Sequence, residues 1–372
     1  MIDKRWIASA VLALALLPGA ARAGAKAAEI TVRAAPGTPF ADGDRLVARA
    51  LGLVDWYRGG RLLATLGDPA GLVAPGREGE TAGRLALVDA LGRPAAGVEP
   101  GQALFLALGP PAKIFYQRGH RLPAGVLMTY HGGYVMGASR TVAIFWGPEW
   151  SDPAFAGDKV AGIESLLSGF TGSRYIGVLK EYATKTSRAT SATTYLGPVF
   201  DASPPPAHNL SPLEVLNEAC KVTSGQPDPA TVYLVYTSTG LDPVKFCAYH
   251  TWWHCDGGAP LQAAYLPNLD GVKGCDIKDT VTAHSPGLAA LANGTAHELT
   301  EAITDPRGEG WFDALPDFSG EIGDKCAYVF GRRPVTLADG AQWKLQTLWS
   351  NAAYRTGKGV LNRQHQAGCV PP

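Results

Sequence analysis

The chain has 372 residues, and its 33 basic and 33 acidic side chains cancel to zero net charge. That balance gives no electrostatic reason to expect nucleic acid or an anionic membrane as a partner. Only 18% of residues are charged, while Gly (45) and Pro (28) are abundant. Such a composition fits a loop-rich extracellular protein better than a helical bundle.

The chain opens MIDKR, continues WIASAVLALALLPGA and then reads ARA. A basic start, a short apolar run and a small-x-small end predict a signal peptide over residues 1–23, cleaved after Ala23. No later stretch approaches about 18 uninterrupted apolar residues, so no membrane span is expected. The mature protein is expected to be exported, either secreted to the extracellular space or periplasmic. Nothing in the sequence speaks to its oligomeric state.

Residues 24–120 carry short apolar runs, such as RLVARALGLVDWY, GRLALVDALG and GQALFLALG, separated by Gly, Pro and Asp. This spacing predicts a small β-rich module, although LVARALGLV fits a helix equally well. The module contains no cluster of His, Cys or acidic residues able to do chemistry.

Residues 121–372 have a different texture. GVLMTYHGG and TVAIFWG predict strands. DKVAGIESLLSGF places Val160, Ile163, Leu166 and Leu167 on one helical face. SPLEVLNEACKV predicts a shorter helix opened by Ser211 and Pro212. TVYLVYTS reads as a buried central strand. FCAYHTWWH and LQAAYLPNL read as further strands. SPGLAALANGTAHELTEAIT predicts one long helix, started by Ser285-Pro286 and stopped at Asp305-Pro306. The fold class expected is α+β: a mixed sheet followed by a metal-bearing helix, as in zincin metalloproteases, preceded by the small β-rich module.

All six cysteines, Cys220, Cys247, Cys255, Cys275, Cys326 and Cys369, lie in the second half. In an exported chain an even count predicts three disulfides, in any of 15 pairings. A zinc site built from Cys247, His250, His254 and Cys255 is the competing expectation. His250 and His254 stand among Tyr249, Trp252 and Trp253, which marks an aromatic strand near a disulfide. His250 is also a candidate for lining a cleft opposite the metal helix.

The stretch GTAHELTEAITDP at 294–306 carries the chemistry. His297 and Glu301 are spaced i, i+4, so on a helix they share one face and can grip a single cation. Glu298, one residue round, is placed to reach a water on that cation. Hydrolysis needs that division of labour: three protein ligands, an open position and a base. The candidates for a third ligand are Glu321 and Asp324 in SGEIGDKCAY. The competing expectation is a solvated helix face with Glu298 and Glu301 in water.

AHELTEAITD, with a glutamate 20 positions after Glu301, resembles the zinc helix of thermolysin-like proteases. The resemblance implies His297, Glu301 and Glu321 as ligands, Glu298 as general base and Asp324 as a carboxylate orienting His297. Glu301 stands where that family has a histidine. The extra negative charge weakens the metal as a Lewis acid and makes Mn²⁺ or Ca²⁺ more competitive with Zn²⁺.

A broader resemblance covers about residues 125–370. YHGG, VAIFWG, TVYLVYTS, FCAYH, AHELTEAITDP, GEIGDKC and the closing WSN and GCV occur in the order of the EXORDIUM or phosphate-induced protein 1 family. That family implies an extracellular role linked to growth and nutrient responses, with no assigned reaction to carry over. Two functions are therefore expected to compete. One is an exported metal-dependent peptidase acting on a peptide or cell-wall polymer. The other is a non-catalytic extracellular binding or signalling protein with a structural or vestigial metal site. Asn293-Gly294-Thr295 and Asn209-Leu210-Ser211 are glycosylation sequons. Tyr130-His131-Gly132-Gly133, which has no nucleophile elbow to accompany it, is expected to be a turn.

Overall fold

The computed structural model describes residues 28–32, 40–41, 43–49, 53–68, 72–73, 85–89, 104–108, 112–118, 126–240, 246–255, 260–313 and 320–371. The expected signal peptide lies outside them. The chain divides into two units, one up to Pro111 with Ser211–Glu214, the other Ala112–Leu210 with Val215–Pro372.

The first unit is β-rich. Its strands are β1 (Glu29–Thr31), β2 (Arg45–Arg49), β3 (Leu53–Arg58), β4 (Arg61–Gly67), β5 (Leu85–Asp89) and β6 (Leu104–Leu108), in the order β1-β2-β3-β4-β6-β5. The LVARALGLV segment, which fitted a helix equally, contributes to β2 and β3. Leu46, Val54, Trp56, Leu66, Leu87 and Leu106 form the core. Asp44 is buried beneath it, and its carboxylate accepts from Trp56 Nε1 (2.7 Å), the Ala41 amide (2.9 Å) and the Arg58 guanidinium (2.8 Å).

The second unit is built on β7 (Ala112–Tyr116), β9 (Ser139–Trp146), β10 (Thr193–Asp201), β11 (Thr231–Gly240), β12 (Phe246–His254) and β13 (Pro260–Asn268). The short strand β8 (Thr129–Tyr130) pairs elsewhere. The sheet order is β10-β9-β11-β13-β12-β7. β10, β9, β11 and β13 run parallel, and β12 is antiparallel to both β13 and β7. This mixed sheet with its helices makes the fold α+β. The expected boundary near 120 moves back to Pro111, because β7 pairs with β12 in the second unit's sheet. GVLMTYHGG gives only the two residues of β8, paired with β14 (Trp311–Phe312).

Among the described residues six α-helices occur in chain order: α1 (Pro153–Ala156), α2 (Lys159–Gly169), α3 (Arg174–Gly177), α4 (Pro212–Val222), α5 (Pro286–Thr304) and α6 (Asn351–Thr356). β11 is buried on both faces, which explains its unbroken apolar sequence. Leu234 and Tyr236 join the core that holds α2 and α5, whereas Tyr233 and Val235 join Val215, Leu216 and Ala219 of α4. In α5, the Ser285 hydroxyl accepts from the Leu288 amide at 3.1 Å, Pro286 occupies the first turn, and Asp305 closes the helix before Pro306. Every residue of α5 from Gly287 to Thr304 is buried. The alternative of a solvated helix face is thereby corrected.

The six cysteines form three disulfides, Cys220–Cys255, Cys247–Cys275 and Cys326–Cys369. The competing Cys–His zinc site is excluded, since Cys247 and Cys255 are each bonded to another cysteine. Closing loops of 28 to 43 residues, each bond stabilises the fold by roughly 3–4 kcal/mol in the chain-entropy account. No helix among the described residues is long and apolar enough to cross a membrane.

Candidate metal centre

The site forms where α5 crosses β12 and meets the turn at 320–326. Helical spacing turns His297, Glu298 and Glu301 toward the sheet. His250 rises from β12 on the face shared with Ala248, which packs in the α5 core. The turn brings Glu321 and Asp324 from beyond the end of α5. His250, His297, Glu298, Glu301 and Glu321 are each no more than 2% exposed.

Glu301 is the centre of the arrangement. Its Oε1 accepts from the backbone amides of Gly323 (3.1 Å) and Asp324 (3.0 Å), which tie the turn to the helix. The same oxygen lies 3.0 Å from His297 Nε2. Its other oxygen, Oε2, faces His250, 3.7 Å from Nδ1. Asp324 Oδ1 is 3.4 Å from His297 Nε2. Gly323 permits the close approach. A Cβ there would sit 2.7 Å from His297 Nδ1 and 2.9 Å from Glu301 Oε1.

His297 is fixed on its remaining sides. Phe115 of β7 stacks on it at 4.0 Å, and Gln346 Nε2 lies 3.0 Å from its Nδ1 while donating to Gly323 O at 2.8 Å. The backbone N–H of Gln346 donates to Asn293 Oδ1 at 2.8 Å. Asn293 is 1% exposed within α5, so the sequon there is closed to a glycosyl donor in the folded chain. At the end of the helix, Lys113 Nζ lies 3.5 Å from Asp305 Oδ2 and 4.7 Å from the centroid of the Phe312 ring.

The expected residues are therefore gathered, with two changes. Two donor sets form, each with its ligand atoms within 4.8 Å of one another: His297, Glu298 and Glu301, and His250, Glu301 and Glu321. His297 and Glu321, expected together, fall in different sets, and His250 joins Glu321 in its set. Glu298, expected as a free base, has one oxygen engaged: Oε2 is 3.1 Å from His250 Nδ1. Lys113, Phe115, Asp305 and Gln346 were not singled out for the site. Asp305 was noted only as a helix stop, and a lone glutamine carries no motif.

The electrostatics are those of a site short of positive charge. Burial, then the neighbouring carboxylates, pushes Glu298, Glu301 and Glu321 above the usual carboxylate range. Burial holds His250 down at about 4, so its ring is neutral. For His297 burial works downward, but Glu301 and Asp324 outweigh it and raise the ring. Lys113 is raised likewise, with Glu321 and Asp305 overcoming burial.

These residues fit a divalent cation. His250 Nε2, His297 Nε2, Glu298 Oε1, Glu301 Oε2, both Glu321 carboxylate oxygens and Asp324 Oδ1 are buried without a hydrogen-bond partner. Seven such atoms in one place carry a large desolvation cost unless a cation collects them. Compared with protein-family models, curated proteins and solved structures, the chain matches none.

Proposed function

We propose that the chain is an exported, divalent-metal-dependent hydrolase of zincin-like layout, acting on a peptide-type substrate outside the cytoplasm. The observation that supports it most is the convergence of imidazole and carboxylate atoms from a helix, a strand and a turn, all buried and lacking partners. When bound, a divalent ion such as Zn²⁺ supplies Lewis acidity and makes water acidic near neutral pH. The chain's own residues do the rest. Glu298 Oε1 has no partner and is the atom available to hold a proton. β7 is the last strand of its sheet among the described residues, and it lies beside the centre, with Lys113 in register with His250. An extended peptide can pair along such an edge. Lys113, 20% exposed and beside Asp305, is placed to orient a substrate carbonyl or carboxylate. Export rests on the expected signal peptide and on three disulfides. The order of motifs shared with the EXORDIUM family supports an extracellular setting.

The test uses the purified full chain on a peptide library. Chelator-sensitive cleavage is expected, with Glu298→Gln abolishing turnover while metal remains bound. Full metallation with no cleavage of any peptide would count against the hydrolase.

A second function draws on the near-complete burial of the donors. Structural metal sites are closed, whereas catalytic ones keep an open position. A structural ion in a binding or signalling protein predicts that chelation lowers the melting temperature and removes no activity, and that Glu298→Gln is silent.

A further inference from the structure

The hydrogen bonds around the two imidazoles differ in a way that bears on which of them binds metal. At His297 the Gln346 side chain decides. Its Nε2 donates to Gly323 O at 2.8 Å, and its Oε1 faces the Tyr328 amide at 3.4 Å. The nitrogen of that amide is therefore the atom 3.0 Å from His297 Nδ1. An N–H group facing Nδ1 makes Nδ1 an acceptor, which puts the ring proton on Nε2. Nε2 then lies beside two anions, Glu301 Oε1 at 3.0 Å and Asp324 Oδ1 at 3.4 Å, without a hydrogen bond to either. A nitrogen in that state has no lone pair to offer a cation.

At His250 the pattern is reversed. Nδ1 is 3.1 Å from Glu298 Oε2, a carboxylate oxygen that can only accept when ionised. With Glu298 ionised, Nδ1 carries the proton and Nε2 keeps its lone pair. Nε2 is buried, has no hydrogen-bond partner, and faces Glu321 Oε2 at 4.0 Å. Glu301 Oε2, also without a partner, is 3.7 Å from Nδ1 of the same ring, and one ligand atom each from His250, Glu301 and Glu321 lies within 4.8 Å of the others. A carboxylate behind a histidine behind a metal is a recurrent way of fixing the tautomer and raising ligand basicity.

We infer that His250 Nε2, Glu301 and Glu321 hold the divalent ion, with Glu298 orienting His250 and His297 orienting Glu301 rather than binding metal itself. The inference rests on the metal-centre proposal above and changes its ligands. The imidazole comes from the strand, and the helix histidine of the H-E-x-x-E stretch is a positioning residue. Two aspects of His297 agree with that role. It is sealed by Phe115 and Gln346, and its nearest acidic atoms are the Glu301 oxygen already held by backbone amides and the Asp324 carboxylate. The free Glu301 oxygen points away from it, toward His250.

Zinc affinity of the full chain, measured by competition with a chromophoric chelator, tests the assignment. His250→Ala is expected to weaken zinc by more than about 100-fold, beyond the 10–100-fold span typical of orienting residues. His297→Gln is expected to stay within that span and still reach one zinc per chain. A His297 variant that loses zinc beyond 100-fold, while the His250 variant keeps it, overturns the assignment and leaves the metal-centre proposal standing. A parent chain that binds no zinc at all overturns both. Long-range ¹H–¹⁵N correlation of histidine-labelled parent protein avoids the risk that a variant misfolds. On zinc addition the His250 Nε2 resonance is expected to move into the metal-bound range, while His297 keeps its proton on Nε2. Metal-induced change at His297 Nε2 overturns the assignment, whether His250 moves or not.

Discussion

Asp44 in the first unit and Glu321 in the second are both 1% exposed, yet their neighbours treat them differently. Asp44 has an indole N–H, a backbone amide and a guanidinium around its two oxygens, and despite burial its pKa falls below the ordinary value. Glu321 has neither oxygen hydrogen-bonded, and burial pushes its carboxyl up. A carboxylate that the fold needs for itself comes with its donors. One whose donors are missing is open to a cation. Glu218 lies between the two, with Oε2 3.4 Å from Lys221 Nζ and Oε1 without a partner.

The largest test of that contrast is to remove the cation. At free metal near 1,000 times Kd, binding contributes about 4 kcal/mol to stability, or roughly 10 °C in Tm for a unit of this size. Calorimetry with and without a chelator is expected to show that shift in the parent chain. An unchanged Tm would place the Glu321 cluster in the same class as Asp44.

Glu218 gives a pH-dependent test. Burial, then Asp201, raises its pKa from the ordinary 4.5 to about 7. A raised carboxyl contributes stability that is complete below pH 4.5 and is lost as pH rises through 7. Glu218→Gln, which cannot ionise, is expected to match the parent near pH 4 and exceed it at pH 8 by up to about 3 kcal/mol in urea titrations. A constant gap between the two chains across that range would contradict the assignment.

Asp44→Ala is expected to cost about 2–3 kcal/mol, less than a fully buried pair because Arg58 is 45% exposed and regains water. Metal content, measured on the same sample, is expected to stay unchanged. Gly323→Ala has the smallest effect on folding, about 1–2 kcal/mol of overpacking, since its φ of −80° suits any residue. Its Cβ presses on His297 and Glu301, so metal affinity is expected to fall about tenfold.

Much of this was legible in the sequence, and the exceptions have physical reasons. The long helix declared itself through Ser285-Pro286 at one end and Asp305-Pro306 at the other. The i, i+4 spacing put His297 and Glu301 on one face before any coordinates. β10 escaped notice because Gly197-Pro198 interrupts TTYLGPVFD like a turn. The structure accommodates the pair with a register shift between Tyr195 and Pro198 in an edge strand, where a missing N–H is tolerated. The state of His297 was not legible, since it depends on Gln346, 49 residues away and in no motif. His250 could be suspected only as a cleft residue, because its bond to Glu298 spans 48 residues. Lys113 was hidden by the segment boundary, which assigned β7 to the wrong unit.

The bond between Cys326 and Cys369 has a consequence for timing. The turn that delivers Glu321 ends at Cys326, and its covalent anchor lies in the strand Ala367–Val370, which pairs with the strands Leu348–Trp349 and Val360–Leu361. The turn that carries Glu321 is secured only once Cys369 has been made and both thiols have been oxidised. A partly made chain would have the histidines and no secured acid to meet them. Any uptake of an ion at this cluster would thus follow disulfide formation, in the compartment in which the thiols are oxidised.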